Sequence, residues 1–95
     1  MFKQLKETIN RFGLETQQKK LAEEMLEFQL AVQELTLSTL KDKTKLREHV
    51  AEEMGDVLNL IEQIRLHFDI PVEVVNNYRV FKANRQHYRE EDEQR

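Results

Sequence analysis

Two short acidic motifs carry the side chains of this chain that are best suited to chemistry. Residues 21–27 read Leu-Ala-Glu-Glu-Met-Leu-Glu and residues 50–56 read Val-Ala-Glu-Glu-Met-Gly-Asp, so both contain the run Ala-Glu-Glu-Met. Each motif places two carboxylates three residues apart, a spacing that puts both on one side of an α-helix. The four acids placed in this way are Glu24, Glu27, Glu53 and Asp56.

The two carboxylate pairs take the same position beside the apolar stripe of their helices. At about 100° per residue, Glu24 lies about 60° and Glu27 about 120° to one side of Leu21. The second pair repeats these angles relative to Val50. If the two helices pack together, the pairs converge across their interface, while the other acids of the motifs point toward solvent.

Four carboxylates gathered at a helix interface repel one another, and either proton uptake or a divalent cation relieves the repulsion. Ligation by oxygen alone favours Mg²⁺, Mn²⁺ or Ca²⁺. Of these, Mg²⁺ keeps several waters and coordinates substrate phosphates, which suits a nucleotide. The repeated motif therefore predicts a metal site shared by two helices.

Two alternatives compete with a magnesium site. A single Glu-x-x-Glu pair on a charged helix is commonly a solvated face, but two pairs in matching positions favour a shared site. A di-iron bundle ordinarily needs Glu-x-x-His motifs, which disfavours it here. At that spacing, the residues before His49, His67 and His87 are Leu46, Ile64 and Asn84.

Apolar residues spaced three and four apart predict four helices that position these acids. The first covers 2–12 and ends at Gly13, and the second begins at an N-cap on Thr16. A polar connection over 40–44 leads to the third helix, and Pro71 starts the fourth. The second and third helices are expected to pack antiparallel through two apolar stripes. The stripes comprise Leu21, Met25, Phe28, Val32 and Leu35, and Val50, Met54, Val57, Ile61, Ile64 and Phe68.

The composition indicates one small all-α domain over 1–95, with a polar, frayed tail over about 90–95. Hydrophobic residues make up 39% and charged residues 35%, with two Gly, one Pro and no Cys. A chain of this size has a thin core, which favours association with further copies. The net charge of −3 argues against a nucleic-acid partner. Because no apolar run suits a membrane span or signal region, we expect a cytoplasmic protein with no membrane partner.

The acidic motifs resemble the signature of a known family. Residues 20–27, followed by 52–58, are similar to the paired Glu-Glu-x-x-Glu and Glu-x-x-Asp motifs of the MazG-like, all-α nucleotide pyrophosphohydrolases. The resemblance extends from about residue 12 to 89 and includes a basic last helix entered through 68–73.

This resemblance implies a MazG-like four-helix bundle whose two central antiparallel helices carry the acidic motifs, completed by association into a homo-oligomer, a dimer or tetramer. It implies Mg²⁺-dependent hydrolysis of a nucleoside triphosphate, an NTP or dNTP, to the monophosphate and pyrophosphate, with Mn²⁺ as a substitute metal. The alternative is a non-catalytic helical adaptor or regulatory module that keeps the fold. The intact set of four acids speaks against that alternative.

The resemblance also implies roles for individual residues. Lys20 would approach a phosphate, whereas its alternative role is an ion pair with Glu24 one turn away. A basic stripe on the last helix would help hold the triphosphate, although it also fits a solvated face. The implied metal-binding and catalytic residues are Glu24, Glu27, Glu53 and Asp56. The basic stripe comprises Arg79, Lys82 and Arg85.

Overall fold

The computed structural model describes the backbone of residues 1–94 and the side chains of residues 1–90. Over this range the chain forms four α-helices and no strand, which confirms the all-α prediction. Most of the polar tail predicted over about 90–95 lies outside the described side chains. The helices are α1 (Phe2–Phe12), α2 (Leu14–Leu37), α3 (Thr44–His67) and α4 (Val72–Gln94).

A single glycine separates α1 from α2. Gly13 has φ 87° and ψ 155°, a conformation that residues with a side chain rarely adopt. Its N–H donates to the carbonyl of Ile9 at 2.8 Å, and its carbonyl accepts from the N–H of Gln17 at 3.2 Å. Gly13 therefore ends α1 and caps α2, and the predicted N-cap at Thr16 is wrong because that residue lies inside the first turn.

Asp42 fixes the start of α3. Its carboxylate accepts hydrogen bonds from the hydroxyl of Thr44 at 2.6 Å and from the Thr44 N–H at 3.0 Å. These two bonds, the hydroxyl bond above all, lower the pKa of Asp42 below its ordinary value. The polar connection after α2 thus supplies the group that orders the first turn of α3.

The end of α3 is a Schellman motif that turns the chain toward α4. The N–H of Ile70 donates to the carbonyl of Arg65 at 3.1 Å, and the N–H of Asp69 donates to Leu66 at 3.3 Å. Asp69 takes the left-handed conformation with φ 53°. The Arg65 guanidinium donates to the carbonyl of Ile70 at 2.7 Å and pairs with Glu62, so one side chain ties the turn to α3.

The packed core consists of α1, α2 and α3. Helices α2 and α3 form the most extensive contact, and α1 lies against both, chiefly against α3. The α2–α3 pair is antiparallel, as predicted, because Gln17 near the start of α2 bonds to Gln63 near the end of α3. The buried apolar side chains are few: Leu5, Ile9, Ala31 and Leu60.

The predicted apolar stripes are only partly buried. About half of each of Met25, Met54 and Ile61 is exposed, although the spacing predicts core positions. Helix α4 has almost no contact with the other three helices, and every side chain described in it is exposed. No helix in the described part of the chain combines the length and apolarity that crossing a membrane requires.

The two glycines predict opposite responses to alanine. Gly13→Ala should lower the free energy of unfolding by about 1–3 kcal/mol, because alanine is strained at that φ and ψ although its Cβ meets no atom within 4 Å. Gly55→Ala should raise it by about 0.5–1 kcal/mol, because Gly55 lies inside α3 and its added Cβ also meets open space. Urea unfolding of both variants checks the pair, and equal signs would contradict it.

Candidate metal centre

Three of the four predicted acids come together between α2 and α3. Glu24 and Glu27 from α2 and Glu53 from α3 each offer one carboxylate oxygen, and these oxygens all lie within 4.8 Å of one another. The antiparallel packing of the two helices brings the motifs opposite each other, as the sequence predicts. Three carboxylate oxygens at this separation are close enough to bind one cation.

Two oxygens of this cluster lack a partner. Oε2 of Glu24 and Oε2 of Glu53 are inaccessible to solvent and accept no hydrogen bond from the described residues. Leaving a buried carboxylate oxygen unpaired is costly, and native proteins seldom do so without an ion or water at the site. A divalent cation that prefers oxygen ligands would satisfy both atoms, so the donor set fits the predicted metal. A proton shared between Glu24 and Glu27 is the other way to relieve the site.

The electrostatics of the cluster act most strongly on Glu24. Burial raises the pKa of Glu24 above its ordinary value of 4.5, and the charges of Glu27, Asp56 and Glu53 raise it further. Each of these effects disfavours the carboxylate form. Glu24 therefore lies where the negative charge of the site is most concentrated and where a cation gains most.

Asp56, the fourth predicted ligand, lies beside the three-membered group. Its oxygens are not part of the set that meets within 4.8 Å. It is nevertheless near enough to raise the pKa of Glu24, and it lines the same cavity as Glu24. The structure thus brings Asp56 to the site without placing it among the converging oxygens.

A cavity of about 280 Å³ extends from the acids toward α1. Helix α1 contributes one apolar and one hydroxyl side chain to its wall, and α2 and α3 supply the rest. The volume lies just below the range of about 300–1,000 Å³ that is typical of sites that bind small molecules. Its lining comprises Leu5, Thr8, Gln17, Lys20, Glu24, Asp56, Asn59, Leu60 and Gln63.

Lys20 lies at this cavity, as a phosphate-binding residue would. The alternative ion pair with Glu24 does not form among the described residues, where the neighbouring pair joins Lys19 to Glu15 at 3.4 Å. Lys20 is exposed and lines the cavity. Its role toward phosphate stays a prediction.

The basic stripe does not meet the acids within the described chain. Arg79 lines a second cavity of about 690 Å³ between α3 and α4, together with Gly55 and Asn59 of α3. Lys82 lies farther along α4, and the guanidinium of Arg85 lies 5.8 Å from the ring centre of Phe81 on the same helix. Only Arg79 is therefore placed near the helix that carries the second acidic motif.

Two residues of the cavity escaped the sequence interpretation. Gln17 and Gln63 are buried, with a hydrogen bond of 2.9 Å from Nε2 of Gln17 to Oε1 of Gln63. Their spacing from the acids could have identified them, because Gln17 lies seven residues before Glu24 and Gln63 lies seven residues after Asp56. Seven residues are close to two helical turns, so each glutamine shares a face with an acid.

Removing the carboxylate of Glu24 tests the repulsion in the cluster. In EDTA at neutral pH, Glu24→Gln should melt at a higher temperature than the parent, because the folded parent holds a charge that its surroundings disfavour. Above about pH 4.5 Glu24 ionises in the unfolded chain while it still holds its proton in the folded chain, because its folded pKa is raised. The parent should therefore lose stability relative to the variant until the pH has passed that raised pKa. Below that pH the carboxyl is protonated in both folded and unfolded chains, so the difference should vanish.

Adding Mg²⁺ should reverse the order of the melting temperatures of the parent and Glu24→Gln. A ligand that binds only the folded chain stabilises it by about 2.7 kcal/mol at a hundredfold excess over Kd, so the parent should gain more from Mg²⁺ than Glu24→Gln. Glu23→Gln removes the same charge from the exposed neighbouring position and serves as the control. Thermal melts of the three proteins, with EDTA and with Mg²⁺, decide the matter. Equal behaviour of the two variants would show that the acids form a solvated surface.

Comparison with models of known protein families, with curated proteins and with solved structures gives no match for this chain. The candidate centre therefore rests on its own geometry.

Proposed function

We propose that this protein is a Mg²⁺-dependent nucleoside triphosphate pyrophosphohydrolase that converts a cytoplasmic NTP or dNTP to the monophosphate and pyrophosphate. The observation that carries the proposal is the cluster of Glu24, Glu27 and Glu53, with two buried oxygens that lack partners. The similarity of both acidic motifs to those of the MazG-like enzymes supplies the reaction. Neither argument alone reaches both the metal and the substrate.

The carboxylates hold the cation and leave room for phosphate. Glu24 and Glu27 approach from α2 and Glu53 from α3, and Asp56 lines the cavity beside them. In this proposal Asp56 ligates the metal directly or through a water molecule. A bound Mg²⁺, or Mn²⁺ in its place, supplies Lewis-acid stabilisation of the charge on phosphate oxygens. Three or four carboxylates would hold a Mg²⁺ ion without supplying all of its oxygen ligands, so water and substrate oxygens would provide the others.

Cationic side chains complement the phosphates that do not meet the acids. Lys20 lines the cavity together with Glu24 and Asp56. In this proposal its ammonium attracts an oxygen of the triphosphate. Arg79, Lys82 and Arg85 extend a positive stripe along α4, with Arg79 nearest to α3. Because the stripe does not meet the acids within one described chain, in this proposal it holds the pyrophosphate end of the substrate only when α4 packs beside the acids of a second copy.

Association with a second copy of the chain completes the fold in this proposal. The cavity between α3 and α4 is walled by apolar side chains that are 37–57% exposed, which is a large apolar surface for an isolated chain. Helix α4 gains little from its own chain, so its helical state is better explained by packing on a partner. The apolar residues of this surface are Leu58, Ile61, Val72 and Val75.

Turnover of nucleotides by paired variants tests the activity. The parent is expected to release monophosphate and pyrophosphate from at least one member of a panel of NTPs and dNTPs with Mg²⁺. Glu53→Gln should lose at least about 100-fold in kcat/KM, since it removes a carboxylate of the converging set. Glu52→Gln should retain the parental value, because Glu52 is exposed and lies outside that set. Chromatography that resolves mono-, di- and triphosphates is the measurement.

Two results would contradict the proposal. Release of diphosphate and inorganic phosphate would indicate a phosphatase. Absence of turnover across the panel, in a folded protein that binds Mg²⁺, would favour the helical adaptor.

Light scattering tests the association. The parent should have a mass of at least two chains of 11.5 kDa each. Leu58→Asp should shift the mass to one chain without unfolding it, because Leu58 is 57% exposed within the chain and its replacement would bury a charge only in an interface. Asn10→Asp adds the same charge at an exposed position of α1 and should leave the mass unchanged. A parental mass of one chain would refute the interface.

A further inference from the structure

The buried polar side chains of the described core are a single pair. Gln17 is 4% exposed and Gln63 is 5% exposed, and Nε2 of Gln17 donates to Oε1 of Gln63 at 2.9 Å. Both line the cavity that begins at the acids. Two of the few buried side chains in this small core are therefore amides, and both lie at the wall of one cavity.

This pair uses only part of its hydrogen-bonding capacity. Each amide has an oxygen that accepts and a nitrogen that donates two hydrogens, and the mutual bond engages one oxygen and one hydrogen. Oε1 of Gln17 and Nε2 of Gln63 bond to no other described residue. Neither atom is among the fully buried, unpartnered polar atoms of the described side chains, which belong to Glu24 and Glu53, and both glutamines line the cavity.

The amide pair lies at the far end of the cavity from the acids. Gln17 precedes Glu24 by seven residues and Gln63 follows Asp56 by seven, which corresponds to about 10 Å along each antiparallel helix. Lys20 lies between the two levels on α2, as Asn59 does on α3. Along the cavity the lining therefore changes from the carboxylates, through Lys20 and Asn59, to the buried glutamine pair.

We propose that Gln17 and Gln63 recognise the hydrogen-bonding edge of the nucleobase whose phosphates lie at the acids, and so determine which base the protein accepts. This inference rests on the proposed function. The pair leaves one amide oxygen that can accept and one amide nitrogen that can donate, on two residues that both line the cavity. Nucleobases carry donors and acceptors next to one another on their pairing edges, whereas sugars and phosphates lack a flat edge of this kind.

Two apolar side chains share the cavity with the glutamine pair. Leu5 of α1 and Leu60 of α3 are both buried and both line the cavity. Small-molecule sites combine apolar walls with a few placed polar groups in this way. A site built to bond a particular edge rejects a base that leaves its polar atoms unpaired, so two amides are sufficient to set a preference.

The experiment removes both amides together. Replacing one glutamine would leave the other buried and unpaired, whereas replacing both by apolar residues of similar size keeps the core satisfied. Gln17→Leu/Gln63→Leu is therefore the test variant, and Gln18→Leu, at the exposed neighbouring position, is the control. A second variant, Gln63→Asn, keeps an amide but shortens its reach and applies if the double variant does not fold.

Calorimetry with Mg²⁺ measures binding of the four common nucleoside monophosphates and of ribose 5-phosphate, which has no base. The parent and Gln18→Leu should bind one or two monophosphates at least about tenfold more tightly than ribose 5-phosphate. The double variant should lose that advantage and bind all five compounds alike, with its Mg²⁺ affinity unchanged. Gln63→Asn should reduce the same advantage without abolishing Mg²⁺ binding.

Outcomes against the inference are distinct from failure of the proposed function. A variant that keeps the parental ranking of bases would show that the amides serve the core alone. A parent that binds every monophosphate no better than ribose 5-phosphate would overturn the inference too. If base-selective binding is lost in the variant but the parent hydrolyses no triphosphate, the recognition stands and the pyrophosphohydrolase proposal falls.

Discussion

Repulsion among the carboxylates at the α2–α3 interface constrains the rest of the structure. The same contact that holds the two longest helices together also gathers Glu24, Glu27 and Glu53. Apolar packing must therefore offset an arrangement that raises the pKa of Glu24 and leaves two oxygens without partners. In natural proteins, unfavourable arrangements of this kind are concentrated at functional sites, where a bound ligand offsets their free energy. The α2–α3 pair is thus the main packed unit of the fold, and it also carries the acidic cluster whose charges repel one another.

The thinness of the core follows from the same division of roles. Between α2 and α3, one side of the interface is given to acids and amides, so few apolar side chains are sealed there. Helix α1 adds Leu5 and Ile9 to what is buried, and α4 adds none among its described residues. A chain that leaves so much apolar surface outside its own core is well suited to share that surface with another copy.

The sequence predicts the helices well because their signals are local. Gly13 and Pro71 mark boundaries through backbone geometry alone, and the matched acidic motifs predict a convergence that needs only antiparallel packing. Burial is predicted less well, because periodicity identifies a stripe but not its depth. Met54 and Ile61 lie on the predicted stripe yet stay half-exposed, whereas Leu60, one position away, is buried. Helix α1 packs against both α2 and α3, and no residue spacing within those two helices predicts where it docks.

The glutamine pair shows why the cavity was harder to predict than the acids. The carboxylates can be recognised in the sequence because they are charged and because their motif occurs twice. A glutamine on a helix is ordinarily a solvated residue and a good helix former. Only the position of Gln17 two turns before Glu24, mirrored by Gln63 two turns after Asp56, distinguishes this pair. That mirror relation has meaning only once the helices are known to be antiparallel. Packing therefore converts two unremarkable amides into a paired, buried edge at a fixed distance from the acids.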